Sequence, residues 1–126
     1  MSSTPVRALA PLALMATIFY LSAQQSVGPE LPAFTRVIAH FSVYALLAAL
    51  WAWALTPSLG RRAIPVAAAI CVLYAISDEY HQRFVEGRDS DHVDVLVDCC
   101  GIAFALWIVS RSSAWRAASR RRPTSP

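Results

Sequence analysis

The sequence predicts an all-α integral membrane protein: a four-helix bundle in an antiparallel, up-down arrangement. Hydrophobic residues make up 56% of the chain and charged residues 15%, whereas an average soluble domain is about 25% charged. The mean hydropathy is +0.45, so a soluble fold could not cover this much apolar surface, and the excess needs lipid. Four apolar stretches supply the helices, at residues 6–23, 34–55, 63–77 and 93–110.

The third and fourth stretches need separate arguments, because a helix that crosses the hydrocarbon core needs about 20 residues. The third stretch is too short alone, so we expect its helix to continue through Asp78 to about Gln82. The fourth contains Asp94 and Asp98, which are costly in lipid and should face the other helices. Short connections carrying glycine or proline separate the stretches, at residues 24–33, 56–62 and 86–91.

Residues 1–110 are interpreted as one transmembrane domain, and residues 111–126 as a basic tail that we expect to be disordered. The first stretch has two interpretations. Arg7, the apolar core and the small residues Ser22 and Ala23 resemble a cleaved signal peptide. The apolar stretch is longer than the roughly 7–15 residues of a signal core, which favours an uncleaved helix.

The arginines are divided unevenly between the two sides of the predicted bundle, and the chain contains no lysine. Eight of the 11 lie at the N-terminal end of the chain, in the second connection or after the fourth helix, which share one side of a four-span protein. Cytoplasmic segments carry the excess of basic residues. We therefore predict a multi-pass protein of the cell membrane with both termini in the cytoplasm and the acidic residues at the extracytoplasmic side. An arginine run can bind nucleic acid, but after a membrane span an anchor that touches anionic lipid is favoured.

Polar side chains recur at helical spacing on three of the predicted helices. These stripes are Arg36, His40 and Tyr44 on the second, Asp78, His81 and Gln82 on the third, and Asp91, Asp94 and Asp98 on the fourth. Consecutive antiparallel helices joined by a short turn pack side by side, so we expect Asp78 and His81 to face Asp91 and Asp94. Arg88, in the turn, could reach either group.

Such a pocket could carry chemistry, because partly desolvated carboxylates cannot all stay ionised and a histidine titrates near neutral pH. The candidate catalytic residues for proton transfer are Asp78, His81 and Asp94. The candidate binding residues are Arg36, His40, Glu79, Gln82, Arg88 and Asp98. The sequence does not identify a cofactor, and a divalent cation held by Asp and His is one alternative. A structural clamp that ties helix ends together is another.

The segment from Asp78 to Arg88, Asp-Glu-Tyr-His-Gln-Arg-Phe-Val-Glu-Gly-Arg, resembles the signature of VanZ-like membrane proteins. The resemblance continues through Asp94, Asp98 and Gly101. Upstream, residues 36–44 resemble that family's basic-x-x-x-His-Phe-x-x-Tyr segment, and residues 21–24 its Ser-Gln-rich exit from the first helix. The sequence departs from the pattern at positions 35, 86 and 98, where the family often has an acid, a proline and an asparagine.

The resemblance implies a bacterial cell-envelope protein. The family's founding member is linked to resistance to teicoplanin, a glycopeptide that binds peptidoglycan precursors. The implied partners are membrane lipids and an envelope lipid or peptidoglycan precursor, with no nucleic acid; the oligomeric state stays open. Three functions remain: an enzyme acting on such a lipid, a non-enzymatic binder, and a small proton-coupled carrier. The carrier is the weakest, because four helices without repeats make a poor transporter.

The predicted topology can be tested with reporter fusions after Ala33, Arg62, Ser90 and the C-terminus. We expect cytoplasmic signals from the fusions at Arg62 and the C-terminus, and external signals from the other two, because of the arginine distribution. An external signal from the Arg62 fusion would contradict the topology.

Overall fold

The structure is a computed structural model that describes residues 4–23, 32–84 and 92–121. Over these ranges every regular element is helical, as predicted. The α-helices are α1 (Thr4–Arg7), α2 (Leu9–Ala23), α3 (Ala33–Leu59), α4 (Ala63–Gln82), α5 (His92–Arg111) and α6 (Ser113–Arg120), and a short 3-10 helix, Gly60–Arg62, joins α3 to α4. The predicted turn that contains Gly87 and Arg88 lies outside the described residues.

Three helical runs in the described ranges are long and apolar enough, by length and composition, to cross a membrane: Thr4–Ala23, Phe34–Gln82 and Val93–Arg111. The second run contains both α3 and α4. These two helices fold back on each other. This is shown by the rings of Tyr44 in α3 and Tyr74 in α4, which lie 6.4 Å apart although the two residues are far apart in sequence. The predicted all-α membrane bundle of four long helices is therefore confirmed.

The helix boundaries agree with the sequence for α4, which ends at Gln82, and for α5. In contrast, α3 continues to Leu59, so the predicted connection at residues 56–62 is mostly helical. Pro57, in the last turns of α3, lacks the N–H that would bond to the carbonyl of Trp53. The Nη1 group of Arg7 donates to that carbonyl at 3.2 Å, and its guanidinium lies 4.8 Å from the Trp53 ring. Arg7 of α1 thus supplies the hydrogen-bond donor that Pro57 lacks for the Trp53 carbonyl.

The turn between α3 and α4 depends on Gly60. Its φ angle is +57° and its ψ angle is −127°, a conformation that glycine adopts readily and that residues with a Cβ rarely adopt. A Cβ at this position would also lie 2.9 Å from the carbonyl oxygen of Ser119 in α6. Glycine is therefore required both by the turn and by the helix that packs over it.

The tail after residue 110 departs from the sequence expectation of disorder, since Ser113–Arg120 forms α6. The Ser112 hydroxyl caps this helix by accepting a hydrogen bond from the backbone N–H of Trp115 at 3.1 Å. The Trp115 indole N–H donates in turn to the hydroxyl of Thr56 at 3.1 Å. Local capping and packing on the α3–α4 turn therefore order a segment whose composition favoured disorder.

Alanine is the most frequent residue of the buried core, and many large apolar residues face outward. The buried alanines are Ala48, Ala52, Ala54, Ala63, Ala67, Ala75 and Ala105. The exposed apolar side chains include Leu73, Leu96, Phe104 and Trp107. This distribution is typical of membrane helices, whose backbones approach closely at small residues and whose outer surface contacts lipid.

The closest helix contact lies between α3 and α5, which also form the most extensive helix pair. A Cβ at Gly101 would overlap the carbonyl oxygen of Phe41 and would lie 3.1 Å from its carbonyl carbon. The rings of Phe41 and Phe104 flank the contact, with centroids 5.6 Å apart. Because α3 and α5 are the second and fourth long helices of an up-down bundle, they run parallel.

Substituting Gly101→Ala should destabilise the bundle. Alanine normally favours a helix over glycine by about 1 kcal/mol. Here the added methyl group meets backbone atoms that cannot rotate away, and overpacking costs roughly 1–3 kcal/mol. We expect a lower melting temperature in detergent than for the unaltered protein. Ala103→Val is the control, because Ala103 is exposed on the same helix; equal melting temperatures for both variants would contradict the close contact.

Candidate functional site

Two pairs of polar side chains join α3 to α5. The Nη2 group of Arg36 donates to Oδ2 of Asp94 at 2.6 Å. One turn further along both helices, Nδ1 of His40 lies 2.9 Å from Oδ1 of Asp98. On each helix the two paired residues are four positions apart. The two pairs therefore repeat in register, as parallel helices require.

The pairs lie at the end of the bundle where α3 and α5 begin and where α2 and α4 end, which we name the polar end. The side chain of Arg36 is 49% exposed and that of Asp94 is 10% exposed. At the second pair the exposed fractions fall to 21% for His40 and 4% for Asp98. The site therefore opens at Arg36 and closes toward the centre of the bundle.

Tyr44 extends the stripe one turn deeper. It is fully buried, and within the described ranges its hydroxyl has no hydrogen-bond partner. Its electrostatic neighbours include Asp78 of α4 and Asp98 of α5. Tyr44 thus lies where α3, α4 and α5 meet. Tyr44 belongs to the polar stripe predicted for α3 but is not among the predicted site residues, although its spacing of four from His40 was the available signal.

The polar residues at the end of α4 divide between two neighbours. Asp78 is buried and acts electrostatically on Tyr44 and Asp98. The His81 ring stacks on Phe19 of α2 with centroids 4.6 Å apart.

The expected arrangement at this end is therefore only partly correct. Asp94 is paired with Arg36 of α3, and His81 is turned toward α2 rather than toward the start of α5. Asp94 meets Arg36 because the acidic stripe of α5 follows the close contact with α3. His81 lies against Phe19 because the end of α4 packs on α2.

Gln82 and Glu79 are both buried, but they have different neighbours. The side-chain amide of Gln82 is 3.5 Å from the hydroxyl of Ser22 at the end of α2, a long hydrogen bond. Glu79 lines a surface groove between α4 and α5, with a volume of about 430 Å³. Arg88 and Asp91 lie outside the described ranges.

The described ranges contain no group of three or more His, Cys, Asp or Glu side chains that could hold a metal ion. The cysteines are free; Cys71 is buried and Cys100 is exposed.

The arrangement is suited to proton transfer and anion binding. If Nδ1–H of His40 donates to Asp98, the other ring nitrogen is left as an acceptor that can take up a proton. The carboxylate then orients the ring and stabilises its charged form. Arg36 has five N–H donors, and its described contact with Asp94 occupies one nitrogen, so donors remain for an anionic group at the open end.

Comparison with curated proteins and with solved structures found no match. A sequence model of the family described as VanZ/LLP1 matches residues 4–114. The match includes all four long helices and every described residue of the polar end. Since it covers most of the chain, the protein belongs to the VanZ/LLP1 family.

Proposed function

We propose that this protein works at the outer face of the bacterial cell membrane, where its polar end binds the anionic group of an envelope lipid or lipid-linked peptidoglycan precursor. The observation that carries the proposal is the pairing of Arg36 with Asp94 and of His40 with Asp98 between two membrane helices. Ionisable groups at such positions are costly in lipid and are functional candidates by default.

Arg36 is the proposed ligand for the anion. It is half exposed at the open end of the site, and its planar guanidinium matches the geometry of phosphate and carboxylate. Asp94 holds the guanidinium in one orientation through the 2.6 Å contact. A lipid headgroup reaching this end would therefore meet a preoriented cation at the level of the membrane surface.

The outward orientation of the polar end rests on charge. The described acids Asp78, Glu79, Asp94 and Asp98 all belong to this end, and most arginines belong to the other. Cytoplasmic segments are enriched in basic residues, so the polar end is proposed to be extracytoplasmic.

The proposal has an enzymatic and a binding form. In the enzymatic form, His40 accepts a proton while Asp98 orients it, Asp78 is the neighbouring acid, and His81 contributes from the α2 side. In the binding form, the same residues fix the ligand without turnover. The enzymatic form would alter the precursor itself, and the binding form would alter its accessibility. Either change would affect what teicoplanin binds, which connects the site to glycopeptide resistance.

A helix clamp is the second candidate, and one observation favours it. Both pairs bridge α3 and α5 beside the contact between Phe41 and Gly101, where a buried hydrogen bond would lock the two helices together. A clamp requires that the pairs form, but it would work equally well with the arginine on α3 or on α5.

Exchanging the charges of the outer pair separates the two candidates. Arg36→Asp alone should lower stability, with a coupling of roughly 0.5–3 kcal/mol to position 94. Combining it with Asp94→Arg should restore membrane abundance and melting temperature, because the opposite charges face each other again. The exchange moves the guanidinium from the exposed position to the buried one, so the proposal expects lipid retention and glycopeptide resistance to stay low. Restored function in the stable double variant would establish the clamp.

Asp78 and His81 can be tested with substitutions that keep their shape. Asp78→Asn removes the charge, and His81→Phe keeps a ring against Phe19 while it removes both nitrogens. We expect both proteins to remain folded, as judged by membrane abundance and melting temperature, and to lose lipid retention or glycopeptide resistance. Full function in both variants would refute a site that includes these residues. Loss of function that follows only from loss of folding would favour the clamp.

A further inference from the structure

The opposite end of the bundle carries a surface of exposed arginines, which we name the arginine surface. It consists of Arg61, Arg62, Arg111, Arg116, Arg120 and Arg121. Two of its elements are held together by backbone packing, because Ser119 of α6 contacts Gly60 of the α3–α4 turn. Arg120 and Arg61 directly follow these two residues, so the turn and α6 present one continuous basic surface.

The arginine surface has no acidic counterpart among residues 4–23, 32–84 and 92–121. The described acids all lie at the polar end, and the nearest along α5, Asp98, is about 20 Å from Arg111 at 1.5 Å per residue. The ion pairs formed by Arg36 and His40 both lie at the polar end. No described acid lies close enough to balance the positive charge of the arginine surface, so anions from another source would serve as its counterions.

The tryptophans indicate where these anions are. All four lie at the arginine end: Trp51, Trp53, Trp107 and Trp115. Trp53 and Trp107 are exposed, and tryptophan is enriched where the membrane meets water. The guanidinium of Arg111 lies 5.6 Å from the Trp107 ring. The arginine surface is thus at headgroup level, and phosphate is the anion available there.

We propose that α6 and the α3–α4 turn form a docking surface for the headgroups of anionic phospholipids in the adjoining leaflet. Arginine binds phosphate through paired N–H donors. The helix is fixed for this role by the bond from Trp115 to Thr56, which holds its basic face in place before lipid binds. This surface is distinct from the polar end and does not depend on the function proposed for that end.

The test uses the full chain in neutral detergent, with phosphatidylglycerol or phosphatidylcholine added and bound lipid measured by native mass spectrometry. We expect phosphatidylglycerol to bind more tightly. Each of Arg61→Gln and Arg120→Gln should weaken its binding about fivefold, and the double variant about 25-fold. Raising the salt concentration from about 0.1 M to about 1 M should also weaken binding, because it shortens the screening length.

Arg83→Gln is the matched control, because Arg83 is exposed at the polar end and its loss should leave the affinity for phosphatidylglycerol unchanged. The variants must keep the unaltered melting temperature in lipid-free detergent; Arg62→Gln and Arg121→Gln replace any that does not. Equal binding of the two lipids would overturn the proposal, as would an equal effect of the control. Displacement of phosphatidylglycerol by the same concentration of inorganic phosphate would also overturn it, since the site would then bind free anion.

Discussion

The close approach of α3 and α5 at Gly101 and Phe41 is the constraint on which the polar end depends. His40 immediately precedes Phe41, and Asp98 lies one turn before Gly101, so the backbone contact brings these two side chains within 2.9 Å. The register of parallel helices then repeats the approach one turn outward, at Arg36 and Asp94. Any side chain larger than hydrogen at position 101 would separate the helices and lengthen both contacts.

The pairing is also what makes the buried acids tolerable. No water is available in the hydrocarbon core to solvate a polar group, so an ionised side chain there is costly without a partner in the protein. Asp98 is almost fully buried and meets this requirement through His40. The open end behaves differently, because Arg36 remains half exposed while it contacts Asp94. The polar end therefore combines a buried inner pair, His40 and Asp98, with an outer pair, Arg36 and Asp94, of which Arg36 is accessible.

The two ends of the bundle are organised by different interactions. Side-chain pairs between helices order the polar end, whereas backbone packing and a capped helix order the arginine end. Arg7 satisfies the carbonyl of Trp53 beside Pro57, and Trp115 bonds to Thr56. These contacts explain why α3 extends beyond its predicted end and why α6 is helical. In isolation, Pro57 indicates the end of a helix, and the arginine-rich segment indicates a disordered tail. Contacts with residues distant in sequence change both outcomes.

Much of the fold followed from the sequence, because membrane helices are determined by the length and hydropathy of local segments. The continuation of α4 to Gln82 and the inward direction of Asp94 and Asp98 were predictable for the same reason: both depend on the cost of polar groups in lipid. The spacing of Arg36, His40 and Tyr44 likewise fixed that they share a face. Helical periodicity, however, determines which side chains lie together on one helix and not toward which neighbour that face turns. The tertiary structure alone decided that the acids of α5 meet α3 and that His81 stacks on Phe19 of α2. The physical reason is that long-range packing sets the rotation of each helix. The glycine contact with Phe41 orients α5, packing on α2 orients the end of α4, and no local pattern encodes either contact.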